Sequence, residues 1–310
     1  MPQYWNKKVL LAKIEATYGT DPVPTGGANA ILATDIKLSP MEGQDLSRML
    51  DTAWLGAQRT IPADLYQKIS FKVELAPAGA LGVAPAWGPL LRACAVAQTI
   101  SALVSVTFNP VSAAHESVAI YLHNDGSRFR MLGARGNARF TVGPQGIPYI
   151  DFEFMGLWEA ASAVADATPT LTGFLAPVIA SKTNTPVFTV GGQALVMRQF
   201  MMDLGNEVER RFLINSESVI IVDKAETVET TVEAIALGTW NPFALAAAQT
   251  TVAIALQHGT TAGNRATLNV PTAQVMRTPN LENNQKITEW PLRLTPIPTA
   301  GNDQWTLVLT

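Results

Sequence analysis

The chain has 310 residues, 47% of them hydrophobic and 15% charged, with 22 Lys and Arg against 25 Asp and Glu and a formal net charge of −3. That length suits two domains of ordinary size, and the apolar content fills two cores and excludes a disordered chain. The charge balance offers no basic reservoir for a track of phosphates, which excludes tight, salt-sensitive nucleic-acid binding. The low charge leaves a weakly polar surface of the kind that is buried against other copies of a chain.

From the N-terminus, the only apolar run after Lys7-Lys8 is Val9–Ala12, too short for a signal-peptide core, so the expectation is a soluble protein without an export signal. Gly43–Tyr66 is rich in polar residues yet contains Met49, Leu50, Trp54, Leu55 and Ile61. It reads as too apolar to wave in water and too irregular for a core strand, hence as a functional loop in which these residues and Arg59 make contacts. Ile69–Leu75 then alternates, with Ile69, Phe71, Val73 and Leu75 on one face and Ser70, Lys72 and Glu74 on the other, a half-buried strand.

Residues 86–95 read AWGPLLRACA, a short helix with Pro89 in its first turn, where a missing N–H costs little. The surrounding Ala76–Val106 carries one charge, Arg92, but Pro77, Pro85 and Pro89 break it too often for a membrane span. Cys94, the single cysteine, reads as a small core residue. Val118–Leu122 is a strand and Asn124-Asp125-Gly126 a turn, with His123 a solvated histidine beside it. Asn137–Val142 and Tyr149–Phe154 flank Gly143–Pro148 as a hairpin.

After Glu159–Gly191, which reads as an extended linker, the same order of events returns. Phe200–Glu207 can be set against Ile36–Gly43, and Thr231–Leu237 precedes a second helix, TWNPFALAAA at 239–248. Val252–Leu256 echoes Val118–Leu122, and Ala273–Met276 with Ile287–Leu294 mirrors the hairpin. Trp87 and Trp240 are the matching structural anchors. The expected organisation is all-β with short helices, in two tandem β-sandwich or half-barrel domains, each with one flanking helix. The boundaries are 1–160, a linker 161–190, and 191–310.

Catalytic and metal chemistry find little support. His115, His123 and His258 lack metal-ligand spacing and have no partner cysteine. Asp151 and Glu153 share one strand face with Cα atoms about 6.7 Å apart, a conceivable hydrolase pair, but the second copy places Pro291 and Arg293 there. A water-facing strand is the better reading. The sequence predicts no enzyme, no cofactor and no metal.

Two segments resemble a known family. Glu15-Ala-Thr-Tyr18-Gly-Thr-Asp21-Pro22-Val-Pro24-Thr-Gly26 resembles the N-terminal arm of major tail tube proteins of long-tailed, non-contractile bacteriophages. Tyr121–Gly126 with Gly133-Ala-Arg-Gly-Asn137 resembles the strand and hairpin of the same group. The resemblance implies a structural virion protein whose subunits form rings, stacked into the tube that conducts the genome at ejection. It implies the tape-measure protein and double-stranded DNA as lumen contents without tight binding, and tail terminator and tail-tip proteins as neighbours. It implies no membrane partner, a place in the phage tail, and assembly in the bacterial cytoplasm. Tyr18, Asp21, Pro22 and Pro24 would be arm contacts, and Gly43–Tyr66 would reach a neighbouring subunit or ring. Being about twice the length of simple members, the chain would form a ring of three with pseudo-sixfold symmetry; a hexamer is the alternative. A tail-tip or adhesin-type β-sandwich binding module is the rival function.

Overall fold

A computed structural model describes residues 2–310. The first half contains β1 (Lys8–Ile14), α1 (Gly26–Asn29), β2 (Ala30–Ile31), β3 (Thr34–Ser47), β4 (Thr60–Glu74), α2 (Gly88–Arg92), β5 (Val96–Ser101), β6 (Ser105–Pro110), β7 (Val118–Asn124), β8 (Ser127–Val142), β9 (Tyr149–Leu157) and β10 (Ser162–Ala163). All pairings are antiparallel. β2, β1, β7 and the first part of β8 lie side by side, with β10 on the other flank of β8. The second part of β8 continues into β9, β4 and β3.

β8 therefore belongs to two sheets, and its register shifts between Leu132 and Arg135 where it turns from one to the other, as strands at sandwich corners do. Gly133 sits in that shift at φ +59, and a Cβ there would come within 2.7 Å of the Tyr18 ring, so only glycine fits. Between the sheets lie Phe71, Phe152 and Phe154, whose ring centroids are 5.7–6.0 Å apart. Trp87 closes one end, its Nε1 donating to the Ala76 carbonyl at 2.9 Å and its ring against Phe108 at 5.5 Å.

The second half contains β11 (Val187–Val190), β12 (Gln193–Ala194), β13 (Met197–Asp203), β14 (Asn206–Leu213), β15 (Ser216–Lys224), β16 (Thr227–Glu233), α3 (Pro242–Ala247), β17 (Thr251–His258), β18 (Ala266–Val275), β19 (Glu282–Asn284), β20 (Ile287–Pro296) and β21 (Thr306–Leu309). Its pairing order is β12, β11, β17, β18 with β21 on the other flank of β18. β18 then continues into β20, β16 and β13. This is the connectivity of the first half, strand for strand. The hairpin β5–β6 has no counterpart in the second half; β6 pairs with β21 and so ties the halves together.

The protein is all-β with three short helices, one more than the sequence predicts. The two Trp-x-Pro helices differ in depth. Gly88, Leu90 and Leu91 of α2 are buried, whereas α3 buries only Pro242. Trp240 is nevertheless buried, 5.8 Å from Trp290.

Three expectations are corrected. His123 is buried at the end of β7 beside Tyr121, and that burial lowers its pKa. Glu159–Gly191 holds β10 and the whole of β11, and it packs back on both halves: Thr170 N–H donates to the Gly26 carbonyl, and Val178 O contacts His258. Gly43–Tyr66 is regular in its outer thirds, because β3 and β4 run on past the sheet as a two-stranded arm paired out to Ser47 and Thr60, and irregular between them.

Candidate functional site: an assembly surface

The two halves join through β13. Its residues 200–203 pair with β8, Phe200 to Val142 and Asp203 to Arg139, so the sheets of the two halves form one continuous sheet. Asp203 fixes this seam. Its carboxylate accepts from Arg139 Nε (2.9 Å) and Nη2 (2.7 Å), from Asn137 Nδ2 (2.7 Å) and from Gly205 N–H (2.8 Å). Burial alone would raise the Asp203 pKa, but the hydrogen bonds from Asn137, Gly205 and Arg139 outweigh it and hold the carboxyl below its ordinary value.

β13 runs on into the hairpin β14–β15, which lies across the first half instead of standing free. Val219 is fully buried there. Its N–H donates to Tyr18 Oη at 2.6 Å and its carbonyl accepts from Arg135 Nη1 at 2.7 Å. Asn206 Nδ2 donates to the carbonyls of Cys94 (2.8 Å) and Gly136 (3.0 Å), and the Arg210 guanidinium stacks 4.7 Å from the Tyr66 ring.

Edges and tips without such cover mark where further protein can bind. β3 occupies in the first half the place β13 has in the second, and its outer edge has no strand partner among the described residues. At the other end, β19 pairs with β20 on one side only, and Arg277–Leu281 is irregular. The arm formed by β3 and β4 projects with Met49, Trp54 and Leu55 at 84%, 78% and 104% exposure, beside exposed Leu50, Arg59 and Ile61. All six loop residues expected from the sequence are thus brought to one exposed arm.

The N-terminal residues are placed differently from the expected arm. Glu15 is buried and accepts from Gly19 N–H, Ser117 Oγ and Gly133 N–H. Asp21 accepts from the Tyr121 hydroxyl and the Val23 N–H and pairs with Arg130 at 3.3 Å; burial and then the Asp21 bond push the Tyr121 hydroxyl up to about 12. Pro22 O accepts from Lys13 Nζ, and Pro24 is buried. Tyr18, Asp21, Pro22 and Pro24 therefore make contacts within their own chain, while Thr20 and Val23 between them are exposed.

On the sheet face away from the core, Lys72, Arg139 and Arg293 are held by acids. Lys72 lies 3.3 Å from Asp35 and 3.9 Å from Asp151, Arg139 2.7 Å from Asp203, and Arg293 3.1 Å from Glu229. Asp151 thus serves an ion pair, and Glu153 shares its shallow polar cleft with Lys37, Ser70 and Asn137. A cavity of about 740 Å³ lies between the Gly143–Gln145 turn and β11–β13 and brings no acid–base pair together. Among the described residues no His, Cys, Asp and Glu group could hold a metal ion, and no helix is long and apolar enough to cross a membrane.

Sequence reasoning missed Asp203, Val219 and Glu15, whose partners lie far along the chain. No curated protein matches the sequence. A model of the phage tail tube protein family matches residues 5–298, nearly the whole of this β-rich chain, and the chain belongs to the phage tail tube protein family.

Proposed function

We propose that three copies of this chain close into a pseudo-sixfold ring, and that rings stack into the tube through which the genome leaves the capsid. Each chain supplies two equivalent domains, 1–160 and 191–310, related by duplication. The observation that carries this reading is the β8–β13 seam, which joins one half to the next by strand pairing. The strand equivalent to β13 is β3, and its outer edge is open; the strand equivalent to the end of β8 is the β18–β19 region, also open. A seam repeated between chains, β3 of one copy on Arg277–Glu282 of the next, closes the sheet on itself and removes both edges.

The face away from the core then lines the lumen. Lys72, Arg139 and Arg293 on it are engaged by Asp35, Asp151, Asp203 and Glu229, so these three cations are withheld from a passing duplex, and each phosphate contact left unmade keeps the wall from gripping DNA. The tape-measure protein would fill the same lumen before ejection, with terminator and tip proteins at the tube ends. No catalytic step is required of the chain.

Electron microscopy of purified protein and of tails, averaged with threefold symmetry, tests the reading. It should resolve two distinct domains per chain around one pore. A true sixfold axis relating whole chains refutes it.

A further inference from the structure

The two halves carry the same hairpin in two different states. In each, the first two strands of the inner sheet are joined by a two-stranded extension: β14–β15 in the second half, and the outer parts of β3 and β4 in the first. The extensions begin at the pairs Asn206↔Lys224 and Glu42↔Tyr66. Counting outward from those pairs sets Arg210↔Val219 on Leu46↔Ile61, and both are pairs in their own ladders. Val219, fully buried on the first half, thus corresponds to Ile61, which is 53% exposed. The second-half hairpin has found its seat within the chain. The first-half arm has none.

The seat of β14–β15 is the first half where β8 leaves β7 and runs beside β9, around Arg135 and Gly136. The corresponding place in the second half is the end of β18 beside β20. There the chain leaves an open groove of about 210 Å³, lined by Met276, Arg277, Pro279, Arg293 and Thr295, with Met276 and Leu281 exposed. Arg277 stands on its rim, and Arg293 beside it is held by Glu229; the arm carries Asp45, Asp51 and Asp64 against Arg48 and Arg59. The groove thus lies where the internal equivalence of the two hairpins places a seat.

We infer that the arm Gly43–Tyr66 of one copy seats in this groove on the second half of the adjacent copy in the same ring, with Ile61 taking the place that Val219 takes within the chain. This rests on the ring reading above, and it makes the arm a lateral clasp between neighbours. Met49, Trp54 and Leu55 at the tip lie beyond the paired segment.

Crosslinking of the full chain tests the inference and separates it from the ring itself. Cys94 is fully buried, which keeps it silent toward a short bismaleimide. One double variant, Lys37→Cys with Asn280→Cys, probes the open strand edges; the other, Ile61→Cys with Met276→Cys, probes the clasp. The expected result is that both give covalent ladders ending at three chains. An edge ladder ending at three with no clasp product, or with a clasp ladder running past three, leaves the ring intact and overturns lateral docking. Failure of both pairs, with no rings by microscopy, overturns the ring and the clasp together.

Discussion

Replacing Asp203 by Asn removes one charge from the seam and almost no volume. In the native chain the carboxylate receives four hydrogen bonds from Asn137, Gly205 and Arg139, and its side chain is only 16% exposed. Hydrogen bonds to a charged acceptor are worth about 1.5–3 kcal/mol and neutral ones about 0.5–1.5, so the bonds from Asn137 and Gly205 together lose about 2 kcal/mol. Arg139 is half exposed, and its ion pair adds at most about 1 kcal/mol after screening. The expected loss at neutral pH is about 2–3 kcal/mol. The sign with pH follows from the depressed carboxyl. Its stabilisation is fully present above the unfolded value of about 3.9 and is lost as pH falls through the lower folded value. Urea unfolding of wild type and Asp203→Asn from neutral to acid pH should therefore give curves that converge in acid. A gap that stays constant with pH would refute the assignment of the charge to the seam.

Trp87→Ala should cost about 3–5 kcal/mol, as for a fully buried aromatic, with a further penalty for the Ala76 carbonyl left without its donor. Trp240→Ala should cost less, since its helix is largely exposed; thermal unfolding of the two variants gives the order, and equal losses would contradict it. Gly133→Ala should destabilise by at least the about 1–2 kcal/mol of a left-handed backbone, because its new Cβ also meets Tyr18; an unchanged melting temperature would count against that contact. Deleting Asp51–Arg59 should leave folding unchanged while abolishing tubes, read by circular dichroism and negative-stain microscopy, and normal tubes would disprove a role for the arm's tip in assembly.

What the sequence disclosed was what local period and turn chemistry record. β4 and β9 alternate cleanly because one face meets the core, whereas β7 is buried on both faces, and Pro89 and Pro242 place two helix starts. The arm escaped recognition as strand for the same reason in reverse. Both of its faces are solvated, so no apolar period marks it. β8 was cut short in the reading because Gly133 and Gly136 look like a loop, whereas they serve the bend between two sheets. His123 was misplaced by the Asn-Asp-Gly turn next to it; the turn is real, but the segment after β10 covers the ring. Asp203 was invisible as a site since its partners Asn137 and Arg139 are set by β8–β13 pairing, a contact across more than 60 positions of chain. Large apolar side chains in a polar stretch mark Met49, Leu50, Trp54, Leu55 and Ile61 whatever the backbone does, and all five are exposed on the arm.

The seam is also a joint whose strength does not depend on protein concentration. Because Phe200–Asp203 and Arg139–Val142 belong to one polypeptide, they meet at the high effective concentration that a tether provides. Dilution cannot part them. Counting back from the matched hairpin pairs, the residue that stands on the open β3 edge where Asp203 stands on β13 is Ser39, which carries no charge to pair. Acid should therefore loosen the internal joint while leaving the joint between copies comparatively indifferent. Dilution should do the opposite.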